Sequence, residues 1–224
     1  MGFVGVMLSW GHRIAPAARE GISRVEPSDR ESKANPTGVN PEDVALAAAC
    51  RAGDLRAYER LYQWQGARMR NLARNLLGTV SDAEDAVQET FLKVQRNIGN
   101  FRGQSSFVTW IFRILVNTCH DARRSRMRRK EAVAQEREEG AMPAEPRAPG
   151  AHPMLKLALE RGIAELTNHQ RDVFLLYEVE GFRHAEIAEL LEISETASKN
   201  TLFQAKKSLR RMLEAPRSSQ AGGA

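Results

Sequence analysis

The 224 residues carry 33 Lys or Arg against 28 Asp or Glu, a formal +5, and 42% are hydrophobic but only 6% aromatic. That is room for one large or two small domains, and no apolar run approaches the roughly 20 residues of a membrane-spanning helix, which excludes membrane insertion. The apolar opening Gly2–Trp10 is too short for a span and has no positive residue ahead of it, so it makes a poor signal peptide and the chain is expected in the cytoplasm. Cys50 and Cys119 belong to no CxxC or CxxH spacing, which implies neither a disulfide framework nor a zinc site; both read as small buried hydrophobes.

Residues 1–40 mix Pro, Gly, Ser and charge without periodicity and read as a disordered leader, or as a start codon placed too early. From Pro41 the pattern is helical: Leu55, Tyr58, Leu61 and Tyr62, then Met69, Leu72, Leu76 and Leu77, recur on common faces up to Gly78, which closes a helix pair or a broken helix. Ser81 and Glu84 form a capping-box pattern at the next helix start. There Ala83, Val87, Phe91 and Val94 make a core face, and Asp82, Asp85 and Glu89 an acidic stripe nearly opposite.

From Ser105 to about Arg126 a third helical stretch has Phe107, Trp110, Ile111, Ile114, Leu115 and Thr118 at the spacing of a buried side, widened by Phe112, Val116 and Cys119. Only Thr109, Arg113, Asn117, His120 and Arg124 remain as a narrow polar edge. Residues 131–153 carry Pro143, Pro146, Pro149 and Pro153 among Ala, Glu and Gly, and read as a linker.

A second helical block runs from about Met154 to Leu213. Within it one helix ends near Gly181, a short helix spans about His184 to Leu191, and only Glu192, Ile193 and Ser194 separate that from the next. Two short helices joined by such a turn are the helix-turn-helix arrangement, whose second helix enters the major groove, with Ser194 as its N-cap. Leu202, Ala205, Leu209 and Met212 face its core; Lys199, Phe203, Lys206 and Arg210 line one outer flank, and Asn200, Gln204 and Lys207 the other. An exposed Phe among cations suits a thymine methyl or a sugar, Asn200 and Gln204 suit base edges, and the cations suit phosphates.

Charge follows the same division. His120–Lys130 is net +5, Lys199–Arg211 is net +5, and the remainder is net −5; two basic clusters on an acidic body are either two contacts with a polyanion or two solvated helix faces. No strand pattern appears, so the expected fold is all-α: a domain over 41–130, a flexible linker over 131–153, a helix-turn-helix domain over 154–215, and a disordered tail over 216–224. No GxxxxGK loop, HxE with CxxC, or Ser/His/Asp set is present, and His12, His120, His152, His169 and His184 are scattered, read as solvent-facing or capping; no enzyme, metal site or cofactor is expected.

Three ordered stretches, DAEDAVQETFLKV, FRGQSSFVTWIFRILVNTCHDARR and LTNHQRDVFLLYEVEGFRHAEIAELLEIS, together resemble the extracytoplasmic-function sigma factors of bacterial RNA polymerase, over about residues 43–130 and 154–213. The resemblance implies a sigma subunit that binds core polymerase and directs transcription initiation at particular promoters in a stress or environmental response. It places the polymerase contact at Asp82, Asp85, Gln88, Glu89 and Phe91. It places single-stranded minus-ten recognition at Phe101 and Asn117, with Arg113, His120, Arg123 and Arg124 on the backbone. It places minus-thirty-five recognition at Lys199, Asn200, Phe203 and Gln204, beside Lys206, Lys207 and Arg210.

It further implies an anti-sigma protein as partner, and a linker that enters the polymerase's RNA-exit path. The chain departs from the family pattern at Glu192 and Thr196, where Gly is frequent, at Ser198, where Val packs inward, and at Thr201, where a basic residue is common. The competing reading, a helix-turn-helix regulator that is not a sigma subunit, would bring a βαβ receiver domain that this sequence lacks.

Overall fold

The computed structural model describes residues 41–134 and 153–214, and the side chains of 41–129 and 158–213. The leader, most of the linker and the tail expected from sequence lie outside the described residues. Among these described residues eight helices follow in order: α1 Pro41–Arg51, α2 Leu55–Leu77, α3 Val80–Asn97, α4 Phe107–Ala134, α5 Pro153–Glu165, α6 Asn168–Phe174, α7 His184–Leu191 and α8 Glu195–Glu214. A 3₁₀ turn, Ile98–Asn100, follows α3, and a π turn, Leu175–Val179, extends α6. No strand occurs among the described residues.

Local chemistry sets the helix ends. Gly78 ends α2 in the left-handed region at φ 88°, with its N–H donating to Arg74 O, a conformation that favours Gly over residues bearing a Cβ. Because α2 stops there, Thr79 and not the expected Ser81 caps α3, its hydroxyl accepting from Asp82 N at 3.2 Å. Helix α4 runs past Lys130 to Ala134, since Glu131–Ala134 are adequate helix formers without proline. Pro153 takes the first position of α5, where its missing N–H costs no hydrogen bond.

The first block is a bundle of α2, α3 and α4 closed by α1, with Leu61, Met69, Leu72, Phe91, Ile111 and Leu115 wholly buried. In the second block α8 packs on α5, α6 and α7, and α7 also packs on α4 of the first block. Gly162 of α5 lies so near α8 that a Cβ there would meet Leu209 Cδ2 at 3.0 Å.

The two helical blocks expected from sequence both form, and among the described residues most of their buried apolar side chains join in one continuous cluster. Val173, Leu175, Leu176, Phe182, Ile187, Leu190 and Leu202 join the apolar residues of α1–α4, while Leu166, Ala205 and Leu209 form a small satellite. The reason lies on α4, whose apolar side is too wide for its own bundle. Phe112 points away from that bundle and meets Phe182 edge-on at 5.2 Å between ring centroids.

Candidate nucleic-acid interface and polymerase-facing helix

The helix-turn-helix forms with the bounds read from sequence for its first helix. Glu192 makes the turn in the left-handed region (φ 56°), and Ser194 Oγ accepts from Ala197 N at 3.1 Å to start α8. A non-glycine residue in that region costs about 1–2 kcal/mol, partly offset by the larger chain entropy of an unfolded glycine. Glu192→Gly is therefore expected to raise stability by about 0.5–1 kcal/mol in urea denaturation while leaving the turn in place.

With Leu202, Ala205 and Leu209 buried, α8 presents Lys199, Asn200, Phe203, Gln204, Lys206, Lys207 and Arg210 to solvent, and Phe203 is 65% exposed. Lys199 Nζ sits 2.6 Å from Glu195, which holds that carboxyl below its usual range, and Lys206 Nζ sits 2.7 Å from Glu178 and over the Tyr177 ring. Exposed pairs of this kind contribute little and exchange readily for phosphate.

The departure at Ser198 also finds its explanation. The serine is fully buried, and its hydroxyl meets His184 Nδ1 at 2.9 Å while the imidazole stacks on Tyr177 at 4.5 Å. This polar contact ties α7 to the first turn of α8 where an apolar contact was expected, and His184, read from sequence as solvent-facing or capping, is half-buried in it. Burial, with Lys199 and Lys206 nearby, holds its pKa below the ordinary value, which keeps the ring neutral near pH 7.

On α4, Arg113 is half-buried and Asn117 and Arg124 exposed, whereas Thr109 is buried, its N–H donating to Ser106 Oγ at 2.9 Å. A cleft of about 770 Å³ follows the basic edge, lined by Asn117, His120, Asp121, Arg123, Arg124, Met127 and Arg128 and, from the second block, Asn168. His120 is partly exposed in this cleft, and its Nε2 lies 2.7 Å from Asp172 Oδ2, with Arg123 Nη2 at 3.7 Å from the same oxygen.

Phe101, expected to offer its ring to a base, is only 8% exposed; it packs on Phe107 at 5.2 Å and Trp110 at 5.5 Å, and its carbonyl accepts from Arg51 at 2.5 Å. In this arrangement the ring is part of the core and is covered.

On α3, Asp85 and Gln88 are exposed and Glu89 is partly so, near Arg96 at 4.0 Å, while Asp82 pairs with Arg126 at 3.4 Å. Phe91 does not belong to that surface. It is wholly buried against Tyr62, and supports the stripe from beneath.

Both cysteines are buried, and desolvation pushes the thiol of Cys50 up to about 11 and that of Cys119 up to about 12, leaving little thiolate at neutral pH. No cluster of three His, Cys, Asp or Glu with metal-binding geometry occurs among the described residues. Sequence reasoning missed Arg68, Asp172 and Glu180, which join the two blocks; their pairings span 52 and 112 residues and leave no local pattern.

A helical bundle with an acidic helix and a basic edge, packed beside a helix-turn-helix with a cationic outer face, has the chemistry of a two-part DNA-binding protein. The Sigma-70 region 2 family model matches residues 61–129, and the Sigma-70 region 4 model residues 156–209. The chain is 31% identical over 171 residues to the ECF RNA polymerase sigma factor SigM of Mycobacterium tuberculosis, covering 76% of this chain and 84% of that one. It is 29% identical to the ECF RNA polymerase sigma-E factor of Haemophilus influenzae, covering 77% and 95%.

Among solved structures, CnrH in complex with the cytosolic domain of CnrY superposes with a TM-score of 0.59 at 25% identity, covering 78% of this chain and 98% of that one. RpoE of Bartonella quintana, in complex with the anti-sigma factor NepR, shares the fold with a TM-score of 0.61 at 21% identity, covering 73% and 100%. The chain belongs to the ECF sigma factors of RNA polymerase.

Proposed function

We propose that this chain binds core RNA polymerase and directs it to a defined set of promoters in the cytoplasm, without catalysing a reaction of its own. Asp82, Asp85, Gln88 and Glu89 on α3 supply the polymerase contact. The α4 edge, through Arg113, Asn117, His120, Arg123 and Arg124, takes the single-stranded minus-ten element. Helix α8 reads the minus-thirty-five element through Asn200, Phe203 and Gln204, with Lys199, Lys206, Lys207 and Arg210 on phosphates. Residues 41–130 and 154–215 are the two functional units, joined through 131–153. An anti-sigma protein is a further partner, a reading supported by the complexes in which CnrH and the B. quintana RpoE were solved.

The observation that carries this reading is α8: its inner face is pinned, and its outer face places a 65%-exposed Phe203 among Lys199, Lys206, Lys207 and Arg210. A folded surface gains nothing from an exposed aromatic there, whereas groove contact gives it an apolar partner.

Energetics set the division of labour. Opening several base pairs costs about 1.4 kcal/mol per step, and stacking returns about 1–3 kcal/mol per base, here with Phe101 covered. The isolated chain is thus expected to leave promoter DNA closed, and permanganate reactivity of thymines near the start site is expected only when core polymerase is added. Reactivity with the chain alone would overturn this reading of the α4 edge.

A further inference from the structure

The loop between the 3₁₀ turn and α4 is fixed at both ends and open in the middle. At its entry Phe101 N donates to Ile98 O at 3.2 Å, and the Phe101 ring packs on Phe107 and Trp110. At its exit Ser106 starts α4: its Oγ accepts from Thr109 N at 2.9 Å, and its carbonyl accepts from Trp110 N at 3.0 Å. Between these ends Arg102, Gly103 and Gln104 are exposed, with Gly103 in the left-handed region at φ 71° and nothing within 4 Å of a Cβ placed there.

One contact reaches this loop from far away in sequence. Arg51, the last residue of α1, donates from Nη2 to Phe101 O at 2.5 Å. Its own backbone is held in turn: Tyr58 Oη donates to Cys50 O at 3.1 Å, Gly53 N donates to the same carbonyl at 3.0 Å, and Ala47 and Cys50 are buried. A cation at a helix C-terminus ordinarily serves the carbonyls of its own last turn. Here the guanidinium crosses to another element, and the Phe101 carbonyl is the one polar partner of its side chain among the described residues. A charged donor makes such a bond stronger than a neutral one does.

Helical spacing ties the loop to the basic edge. Ser106, Arg113, Asn117, His120 and Arg124 are 7, 4, 3 and 4 residues apart and so lie along one side of α4, with the loop at its head. The start of α4 is about 15 Å from Asn117 along the axis. A strand lying on that edge therefore runs onto the loop at one end.

We propose that Arg51 is a positioning residue for promoter opening: by holding the Phe101 carbonyl it fixes the 101–106 loop at the head of the α4 edge, so that a base leaving the duplex meets a loop already in place. The role rests on the minus-ten reading of α4. A loop ordered in advance does not have to be ordered by the DNA, which removes an entropic cost from binding. That advantage operates only once the strands part, because the closed complex is held through α8. Phe101 then has a part that its covered ring allows, since its carbonyl and its packing anchor the loop while Arg102 and Gln104 are left to the strand.

Holoenzyme on a promoter selected by the wild-type protein provides the test. Arg51→Met keeps the length of the side chain and loses its donors. It is expected to leave closed-complex affinity within about twofold of wild type and to lower the fraction of open complexes, read as permanganate-reactive thymines, about tenfold, the equivalent of one charge-assisted hydrogen bond. Arg51→Lys keeps a donor for the carbonyl and is expected to recover most of the loss. Because Arg51 is exposed, the urea midpoint of the free chain should match wild type in both variants.

Undiminished opening by a folded Arg51→Met overturns the proposal. So does a fall of about 0.7 in the salt slope of opening, the value for one phosphate contact on a single strand, which would make Arg51 a DNA contact instead. Failure of the minus-ten reading has a separate signature: holoenzyme carrying Arg113→Ala and Asn117→Ala would open the promoter as well as wild type does.

Discussion

Phe112→Ala is expected to destabilise the chain by about 3–5 kcal/mol, the loss typical of a large aromatic removed from a core that cannot collapse around the gap. The ring is wholly buried, meets Phe182 at 5.2 Å and lies under the Arg68 guanidinium, so two partners from two separate parts of the chain lose contact at once. Urea denaturation checks it. A loss under about 1 kcal/mol would mean that the second block does not rest on α4 in solution. Phe101→Ala belongs to the same class, because the ring packs on Phe107 and Trp110. Its effect should register first as lost stability.

Lys199→Ala/Lys207→Ala/Arg210→Ala is expected to weaken holoenzyme binding to closed promoter DNA about a hundredfold, at about 1 kcal/mol per lost phosphate contact. Each phosphate contact also contributes about 0.9 to the slope of log affinity against log salt, so the triple variant should flatten that slope by about 2.7. Lys199 alone should remove about 0.9, with its Glu195 pair broken in both free and bound states. An unchanged slope would take α8 off the DNA backbone. Because all three side chains are exposed, folding stability should hardly change, which separates this effect from that of Phe112.

The helices themselves were legible because one periodicity dominates each. Ile187 and Leu190 on α7, the Ser194 cap and the inward row on α8 all follow from spacing and from the need to satisfy the first amides of a helix. Where two hydroxyls competed at the start of α3, local pattern chose Ser81, and the structure chose Thr79 because Gly78 fixes where the preceding helix ends. Family resemblance counted Phe91 and Phe101 among the contact residues, whereas periodicity had put Phe91 on a core face, and each ring fills a core. Resemblance transfers a position, whereas exposure depends on what packs over it.

The seam between the two blocks was the least visible part, although one clue to it was present. Phe112, Val116 and Cys119 made α4 apolar over more of its circumference than a single bundle covers, which signals a second layer. What covers it could not be read, since Arg68 and Glu180 are 112 residues apart and each looks like an ordinary solvated charge. Ser198 is similar: a buried hydroxyl where an apolar residue was expected calls for a polar partner, and only the packing of α7 on α8 identifies it as His184.

Run-off transcription bears most directly on the assignment of this chain to promoter selection. Core RNA polymerase supplemented with the purified chain, on templates enriched from a random pool by the reconstituted holoenzyme, is expected to give discrete transcripts from one start position, abolished when the upstream element is scrambled. Transcripts no different from those of core polymerase alone, or a chain that does not co-purify with core polymerase, would contradict it.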